Sequence, residues 1–443
     1  MIRRSIAAGR FESMRVRLHR GLAVALCALP LATPVAALRV TPTDWTPGAG
    51  SAQPSVTATP SGGFALTWQQ KQGALAELQI ARFDAGAAQP AAQTVIARGS
   101  DWFVNWADFP SLAVLENGDW VTFTLRRSAG GSSTYDIHLR RSVDGGATWQ
   151  APVKINDDDQ PVQRGFVSLL PDGGDRLLLV WLDDRQDDTH AAHGGGTAHG
   201  ASHGHGHDEG PMHLRSAVVG RDGVTREGAR LDADTCSCCQ TDLVRRGGEV
   251  LAVYRDHAEG IRDIASVRRG GDGRWQAPQA VNVDGWRMPG CPVNGPAAAV
   301  NAEALAVVWP TMAEGPLDVK LAISPREGAA FARPVLVERG AAALGRVDAA
   351  PWGERGFLVS WVGSEAGQAV LRVAGVDAHG VVGTRREVAR LPPGRQLGHP
   401  RIASANGVAK VVWTEPTAEG PRVRTAWIDQ PGVDQPGVDQ NRE

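Results

Sequence analysis

Four cysteines lie in two short motifs of this 443-residue chain, and together we call them the cysteine cluster. Cys236, Cys238 and Cys239 belong to Asp-Thr-Cys-Ser-Cys-Cys-Gln, and Cys291 belongs to Gly-Cys-Pro-Val-Asn-Gly-Pro. Neighbouring cysteines pair with each other only through strained geometry, so one bond from the first motif to Cys291 leaves two thiols exposed to oxidation. A soft ion held by three or four thiolates accounts for all four sulfurs. We therefore predict a metal site here, with copper as the expected ion.

Two other interpretations of the cysteine cluster stay open at this stage. An exported protein commonly uses its cysteines for a structural disulfide framework. A redox-active dithiol is the second alternative. The metal content and the number of free thiols in the purified protein would separate all three.

A histidine-rich tract is the second feature with metal-binding chemistry. Clustered imidazoles among glycines bind Cu(II), Zn(II) or Ni(II) loosely and cannot form a core, so we predict a loop insertion at about 183–213. The alternative is a solvated linker with incidental histidines. The histidines of this tract are His190, His193, His199, His203, His205, His207 and His213.

Weaker ligand candidates occur singly in other predicted loops. They are His257, Met288 and His399. A single histidine or methionine in a loop is more often structural than a ligand, so each depends on its distance from the cysteines.

The N-terminal residues have the features of a secretory signal. Basic residues precede an apolar stretch from Leu22 to Leu31, and Val35-Ala36-Ala37 offers a small-residue cleavage site. We predict a signal peptide over 1–37, with Met14 as an alternative start, and a periplasmic or secreted mature protein. The apolar stretch of the signal is too short to span a membrane, and the predicted mature chain contains no apolar run that is long enough. The polar residues 430–443 should be a disordered tail.

A short apolar run that ends in an aromatic residue recurs seven times, at intervals of just over fifty residues. Such a period is typical of four-stranded propeller blades. The interval from Trp181 to Tyr254 is longer and contains the histidine-rich tract. We predict an all-β fold over 38–429, a seven-bladed β-propeller closed by Leu38–Thr41, with six blades as the alternative. The recurring aromatics are Trp68, Phe123, Trp181, Tyr254, Trp309, Trp361 and Trp413.

One turn has a more specific pattern, Ser-x-Asp-x-Gly-x-x-Trp. Ser142, Asp144, Gly146 and Trp149 occupy its defined positions. The carboxylate can accept bonds from turn amides, and the glycines can take positive φ. On these residues the chain resembles the sialidase-like β-propellers with Asp-box (BNR) repeats, and its Cys-x-Cys-Cys motif resembles an exported bacterial subgroup. The resemblance implies that the turn is structural.

The same resemblance makes exo-α-sialidase the competing function. Such enzymes clamp a carboxylate with three arginines and use a tyrosine nucleophile. Arg164, Arg346 and Arg401 precede or begin predicted inner strands, but the expected Arg-Ile-Pro is missing, and the tyrosines are Tyr135 and Tyr254 alone. The catalytic residues are therefore unassigned, and a non-catalytic binding or assembly propeller is a further alternative.

Charge limits the partners. The formal net charge is −2, and no long basic stretch is present, which argues against nucleic acid. The partners expected from the sequence are a metal ion and, secondarily, another periplasmic protein.

Overall fold

Each of the seven predicted repeats forms one four-stranded antiparallel sheet. In the computed structural model the strands within six of the sheets follow chain order. The structure describes residues 37–129, 133–185, 211–325, 330–340 and 344–431. The predicted signal peptide, apart from Ala37, and most of the predicted tail lie outside these residues.

The strands are short, as expected for blades in which glycine-rich turns separate apolar runs. The first described strand, β1 Arg39–Pro42, belongs to the last blade. Blades one to three are formed by β2 Ser51–Ala58, β3 Phe64–Gln72, β4 Leu75–Phe83, β5 Ala92–Gly99, β6 Leu112–Val114, β7 Trp120–Arg127, β8 Tyr135–Ser142, β9 Val153–Lys154, β10 Arg164–Pro171, β11 Leu177–Asp183, β12 Met212–Val219 and β13 Thr225–Thr235.

Blades four to seven continue in the same way. Their strands are β14 Asp242–Arg246, β15 Glu249–Arg255, β16 Ile264–Arg269, β17 Gln279–Ala280, β18 Ala297–Val300, β19 Ala304–Thr311, β20 Leu317–Pro325, β21 Val335–Gly340, β22 Gly345–Trp352, β23 Gly356–Glu365, β24 Gln368–Val376, β25 Arg386–Leu391, β26 Arg401–Ala405, β27 Val408–Glu415 and β28 Arg422–Asp429. One 3₁₀ turn, Arg395–Leu397, precedes the last blade.

The ring closes through the two ends of the described chain. Strand β1 pairs antiparallel with β28, and the Arg39 guanidinium donates to the Asp429 carboxylate at 2.7 Å. The innermost strands contact each other in one cycle, β2–β6–β10–β14–β18–β22–β26 and back to β2. The seven-bladed prediction and the closing strand are therefore confirmed, and the six-bladed alternative is wrong. In the described part of the chain, no helix is long and apolar enough to span a membrane.

The recurring aromatics fill the interfaces between blades. Trp309, for example, packs between blades four and five, and Trp361 packs between blades five and six. Trp309 and Trp361 thus pack toward the preceding blade, whereas Phe123 packs toward the following one. In the blade of Phe123, Trp120 occupies the interface with the preceding blade. Side chains alternate along a strand, so a position one residue away faces the opposite neighbour.

Hydrogen bonds between neighbouring inner strands position the loops around the axis. The Asp242 carboxylate accepts from the Ala298 amide at 2.8 Å, and the Asp348 carboxylate accepts from the Ile402 amide at 2.7 Å. An axial cavity of about 580 Å³ lies among these strands and reaches as far as Thr241. The loops that enter the inner strands are thus held in fixed positions at one end of the axis.

Candidate metal and thiol site

The first cysteine motif lies between the outer strand of blade three and the inner strand of blade four. Residues of this segment run beside the end of β15, where the Cys236 amide donates to the Arg255 carbonyl at 3.0 Å. Cys291 lies in the corresponding loop one blade later, between β17 and β18. The two loops meet, because a disulfide joins Cys238 to Cys291.

The three sulfurs of the first motif lie close together. The Sγ atom of Cys236 is 3.2 Å from that of Cys239 and 3.7 Å from that of Cys238. Among the described residues, these three ligand atoms lie within 4.8 Å of one another, close enough to hold one metal ion. The site therefore consists of one disulfide and two adjacent thiols.

The sequence pattern predicts three or four thiolates around an ion, whereas the structure contains one disulfide and two thiols. Cys238 and Cys291 form a disulfide between the two motifs, which is the bond that the sequence pattern makes easiest to form. The two remaining thiols are not exposed to oxidation, since Cys236 and Cys239 are each only 1% exposed. Burial protects them in a way that spacing alone cannot show.

The two thiols have opposite electrostatic environments. A hydrogen bond from the Cys239 thiol lowers the pKa of Cys236 to about 6, with further contributions from the Cys238 amide and two guanidinium groups. Burial raises the pKa of Cys239 well above its ordinary value. The pair therefore favours a single thiolate on Cys236, which accepts a hydrogen bond from the Cys239 thiol.

One of those guanidinium groups belongs to Arg255, which is 1% exposed. It donates to the carbonyl oxygens of Asn294, Arg262 and Pro310, and it lies 4.7 Å from the centre of the Trp286 ring. Carbonyl groups satisfy the hydrogen bonds but carry no net charge. A buried cation with such partners stabilises an anion nearby, here the Cys236 thiolate.

Gln240 connects the cysteine cluster to the axis of the propeller. Its amide nitrogen lies 3.0 Å from Nε2 of His399 and donates to the Ala107 carbonyl, while its amide oxygen accepts from the Gly295 amide at 3.0 Å. Gly295 approaches so closely that an added Cβ would lie 2.1 Å from the Gln240 carbonyl oxygen. The glycine of the second motif is thus required by the contact between the two loops.

His399 is buried beside this contact. It stacks on Trp106, and burial lowers its pKa well below the ordinary value, with Arg346 and Arg401 adding to the effect. A neutral ring that accepts a bond at Nε2 from Gln240 is consistent with that environment. His399 is therefore positioned by the residue that follows Cys239.

The other single candidates, His257 and Met288, have partners other than the sulfurs. His257 is part of the segment beside the first motif, and its Nδ1 is 3.0 Å from the Asp234 carboxylate. Burial raises the pKa of the adjacent Asp256 to about 6, and the neighbouring carboxylates Asp232 and Asp234 add to this. The Met288 carbonyl accepts from Arg262, so its loop borders the same region.

The histidine-rich tract is described only at its ends. His190, His193, His199, His203, His205 and His207 lie outside the described residues, so the loop prediction stays a prediction. His213 differs from expectation, because it is part of β12, opposite Asp183, and only 3% exposed. His213 therefore lies in a buried central strand and not in the predicted loop.

The Ser142–Trp149 turn has the local bonding that its residue types suggest. The Asp144 carboxylate accepts from the Thr148 amide at 2.9 Å and from the Thr148 hydroxyl, and Gly146 donates to Ser142 Oγ at 2.8 Å. The hydroxyl of Thr148 is the main cause that lowers the pKa of Asp144 to about 2. Gly146 has φ of 85° and packs on the Trp120 ring. The turn is bonded to itself and is structural.

The residues considered for sialidase chemistry are largely engaged elsewhere. Arg164 is fully buried and contacts three carboxylates, those of Asp136, Asp158 and Asp183. Arg401 pairs with Asp348 at 3.2 Å. Tyr254 is buried and donates to Asp232, and burial raises its pKa. Two of the three arginines thus already have internal counter-ions, which argues against a free carboxylate clamp.

Arg255 and Gln240 are the important residues of the site that sequence reasoning did not assign. Gln240 directly follows the cysteine motif, and this position was the available signal. Arg255 lies at the end of β15, and its burial could not be inferred from that place in the sequence.

The structure thus defines a seven-bladed β-propeller with a cysteine cluster at one end of its axis. No family model matches the chain, and no curated protein matches it in sequence. It is similar in structure to a Dyadobacter fermentans protein of unknown function, with a TM-score of 0.53 and 11% identity over 89% of this chain and 99% of that one.

Propellers that act on carbohydrates are also similar in structure. A Penicillium chrysogenum α-L-arabinanase has a TM-score of 0.44 and 13% identity over 89% of this chain and 98% of that one. Trypanosoma rangeli sialidase has a TM-score of 0.44 and 10% identity over 79% of this chain and 57% of that one. At these identities the likeness is one of fold alone.

Proposed function

We propose that this protein is an exported propeller that binds a soft transition metal, Cu(I), through its cysteine cluster. The observation that carries the proposal is the pair of buried thiols, Cys236 and Cys239, whose Sγ atoms lie 3.2 Å apart, with the disulfide sulfur of Cys238 within 4.8 Å of both. A disulfide and hydrogen bonds between the two loops and β15 hold them in place, so little ordering entropy should be lost when an ion binds. The N-terminal signal pattern supports export.

Charge and ligand number favour Cu(I) over Zn(II). With the disulfide formed, Cys236 and Cys239 are the two thiols that can become thiolates. Structural zinc almost always takes four ligands, whereas soft Cu(I) is satisfied by few thiolates. Cu(I) with two thiolates has a net charge of −1, and the buried guanidinium of Arg255 balances it. Zn(II) with the same two thiolates is neutral and gains nothing from that guanidinium.

The test is a competition titration of the mature protein with Cu(I) and a chromophoric Cu(I) chelator, without reductant. The wild type should take up one equivalent, and Cys236→Ser and Cys239→Ser should each weaken uptake by about a hundredfold or more. Ser237→Ala is the matched control, because it changes the same loop without removing a sulfur, and it should bind as the wild type does. Uptake by both cysteine variants at wild-type affinity would refute the proposal.

The histidine-rich tract supports a second, weaker capacity for Cu(II), Zn(II) or Ni(II). The sequence of the tract is rich in glycine, and fixing glycine residues around an ion costs conformational entropy, which lowers the expected affinity. Its imidazoles also lose ligand character when they are protonated near pH 6. Metal content of protein purified without chelator, measured together with the free-thiol count, tests both capacities in the native state.

A further inference from the structure

We propose that the cysteine cluster is an internal thiol–disulfide relay, in which Cys236 moves the disulfide from Cys238–Cys291 to Cys236–Cys239. The geometry carries this inference independently of any metal. Sγ of Cys236 is 3.7 Å from the disulfide sulfur of Cys238 and 3.2 Å from Sγ of Cys239. One sulfur thus lies between a disulfide that it can open and a thiol that can resolve the product.

The first step is an attack on the existing disulfide. Cys236 releases its proton, and its sulfur forms a bond to Sγ of Cys238. The Cys238–Cys291 bond breaks, and Cys291 leaves as a thiolate that takes up a proton. The Ser237 hydroxyl lies 3.8 Å from Sγ of Cys291, where it can donate to the departing thiolate.

The second step breaks the Cys236–Cys238 disulfide, which closes a small ring because only one residue separates the two cysteines. Cys239 releases its proton and attacks Sγ of Cys236, and Cys238 leaves as a thiolate that is then protonated. One disulfide has been broken and one formed, and two protons have moved from the buried pair to Cys238 and Cys291. No electrons are gained or lost, so the exchange requires no external oxidant or reductant.

The two cysteine pairs differ in their exposure to solvent, so the exchange moves the disulfide between the surface and the interior. Cys236 and Cys239 are buried, whereas Cys238 and Cys291 are partly exposed. Moving the disulfide inward therefore places the two thiols at the surface, where a dithiol protein or a metal ion can reach them. Moving it outward returns the buried pair to the reduced state. The relay couples the surface of the protein to sulfurs that solvent does not reach.

Native alkylation tests the relay. The metal-free mature protein is incubated at pH 8 with chelator and N-ethylmaleimide, without reductant, and the labelled and disulfide-linked peptides are identified by mass spectrometry. In the wild type, label should accumulate on Cys238 and Cys291 while a Cys236–Cys239 disulfide forms. Cys236→Ser should label Cys291 at least about tenfold more slowly, since the attacking sulfur is missing.

A second variant tests the order of the steps. Cys239→Ser should stop after the first step, so label should appear on Cys291 while Cys236 and Cys238 are linked. Ser237→Ala, with circular dichroism as a check of the fold, should keep the wild-type labelling sites but label Cys291 more slowly, because the hydroxyl that donates to the departing thiolate is missing. If wild-type label is confined to Cys236 and Cys239, or if Cys291 labels equally fast in Cys236→Ser, the relay is refuted. Because no metal is present, failure of Cu(I) binding leaves this result unaffected.

Discussion

Lys410 offers a sharp test of the packing between the first and last blades. Its side chain is fully buried, with Nζ 4.1 Å from the centre of the Phe83 ring and 3.9 Å from that of Trp427. Among the described residues, Nζ has no hydrogen-bond partner. We predict that Lys410→Met, which keeps the length and removes the amine, stabilises the protein at neutral pH.

The magnitude follows from two opposing effects. Burial lowers the pKa of Lys410 from 10.5 to about 7, which corresponds to a penalty of about 5 kcal/mol on the charged form. The two aromatic faces favour the ammonium by up to about 2 kcal/mol each. The penalty exceeds this gain, so Lys410→Met should raise the free energy of unfolding by about 1 to 3 kcal/mol at pH 6.5.

The pH dependence has a definite sign. Between the folded pKa and 10.5 the unfolded chain binds more protons at Lys410 than the folded chain does. Wild-type stability from this residue therefore rises as the pH rises through that window. The advantage of Lys410→Met should shrink over the same range and largely vanish near pH 10.5.

Urea unfolding followed by tryptophan fluorescence at pH 6.5, 8.5 and 10 measures the effect. Lys320→Met is the matched control, because Lys320 pairs with the buried Asp284 at 2.9 Å and its removal should destabilise. If Lys410→Met unfolds at lower urea than the wild type at pH 6.5, the aromatic contacts outweigh desolvation. A gain that is the same at all three pH values would also contradict the reasoning.

Four further outcomes are expected. Trp361→Ala should lower the free energy of unfolding by about 3 to 5 kcal/mol in chemical denaturation, because it empties the interface between blades five and six. Gly295→Ala should weaken Cu(I) uptake and lower the melting temperature, since its Cβ would collide with the Gln240 backbone. Deleting Gly194–His207 should remove only the weak, pH-sensitive binding of Cu(II), Zn(II) or Ni(II) seen by calorimetry, and loss of tight Cu(I) uptake would show a single site. Purified protein should not hydrolyse a fluorogenic sialoside, and hydrolysis abolished by Tyr254→Phe would restore the enzyme alternative.

Repeated patterns made the fold predictable. The aromatic that ends each apolar run fills a blade interface, so its period shows the number of blades. The direction of Phe123 could not be predicted, because an apolar strand buried on both faces has no polar alternation to set its register. The burial of Lys410 could not be predicted either, since a lysine in a short strand is ordinarily expected to face solvent.

The site was only partly predictable. Placing Cys291 one blade after the first motif predicts that the two loops meet, and they do. Spacing could not show that Cys238 takes the bond rather than its neighbour Cys239, because adjacent residues differ only in the direction of their side chains. It also could not reveal Arg255 as a buried cation beside the sulfurs, since that depends on contacts between two blades.

The closing strand makes the order of synthesis matter. Arg39 and Asp429 are 390 residues apart in the chain yet share a salt bridge, so β1, the first strand of the described residues, is synthesised long before its partner β28. Until β28 exists, β1 has no neighbour, and the opposite edge of blade seven is absent too. Once the ring is closed, the first and last described strands lie side by side. A short linker from Asp429 to Arg39 could therefore join the described strands directly, with new termini opened in a surface turn of another blade.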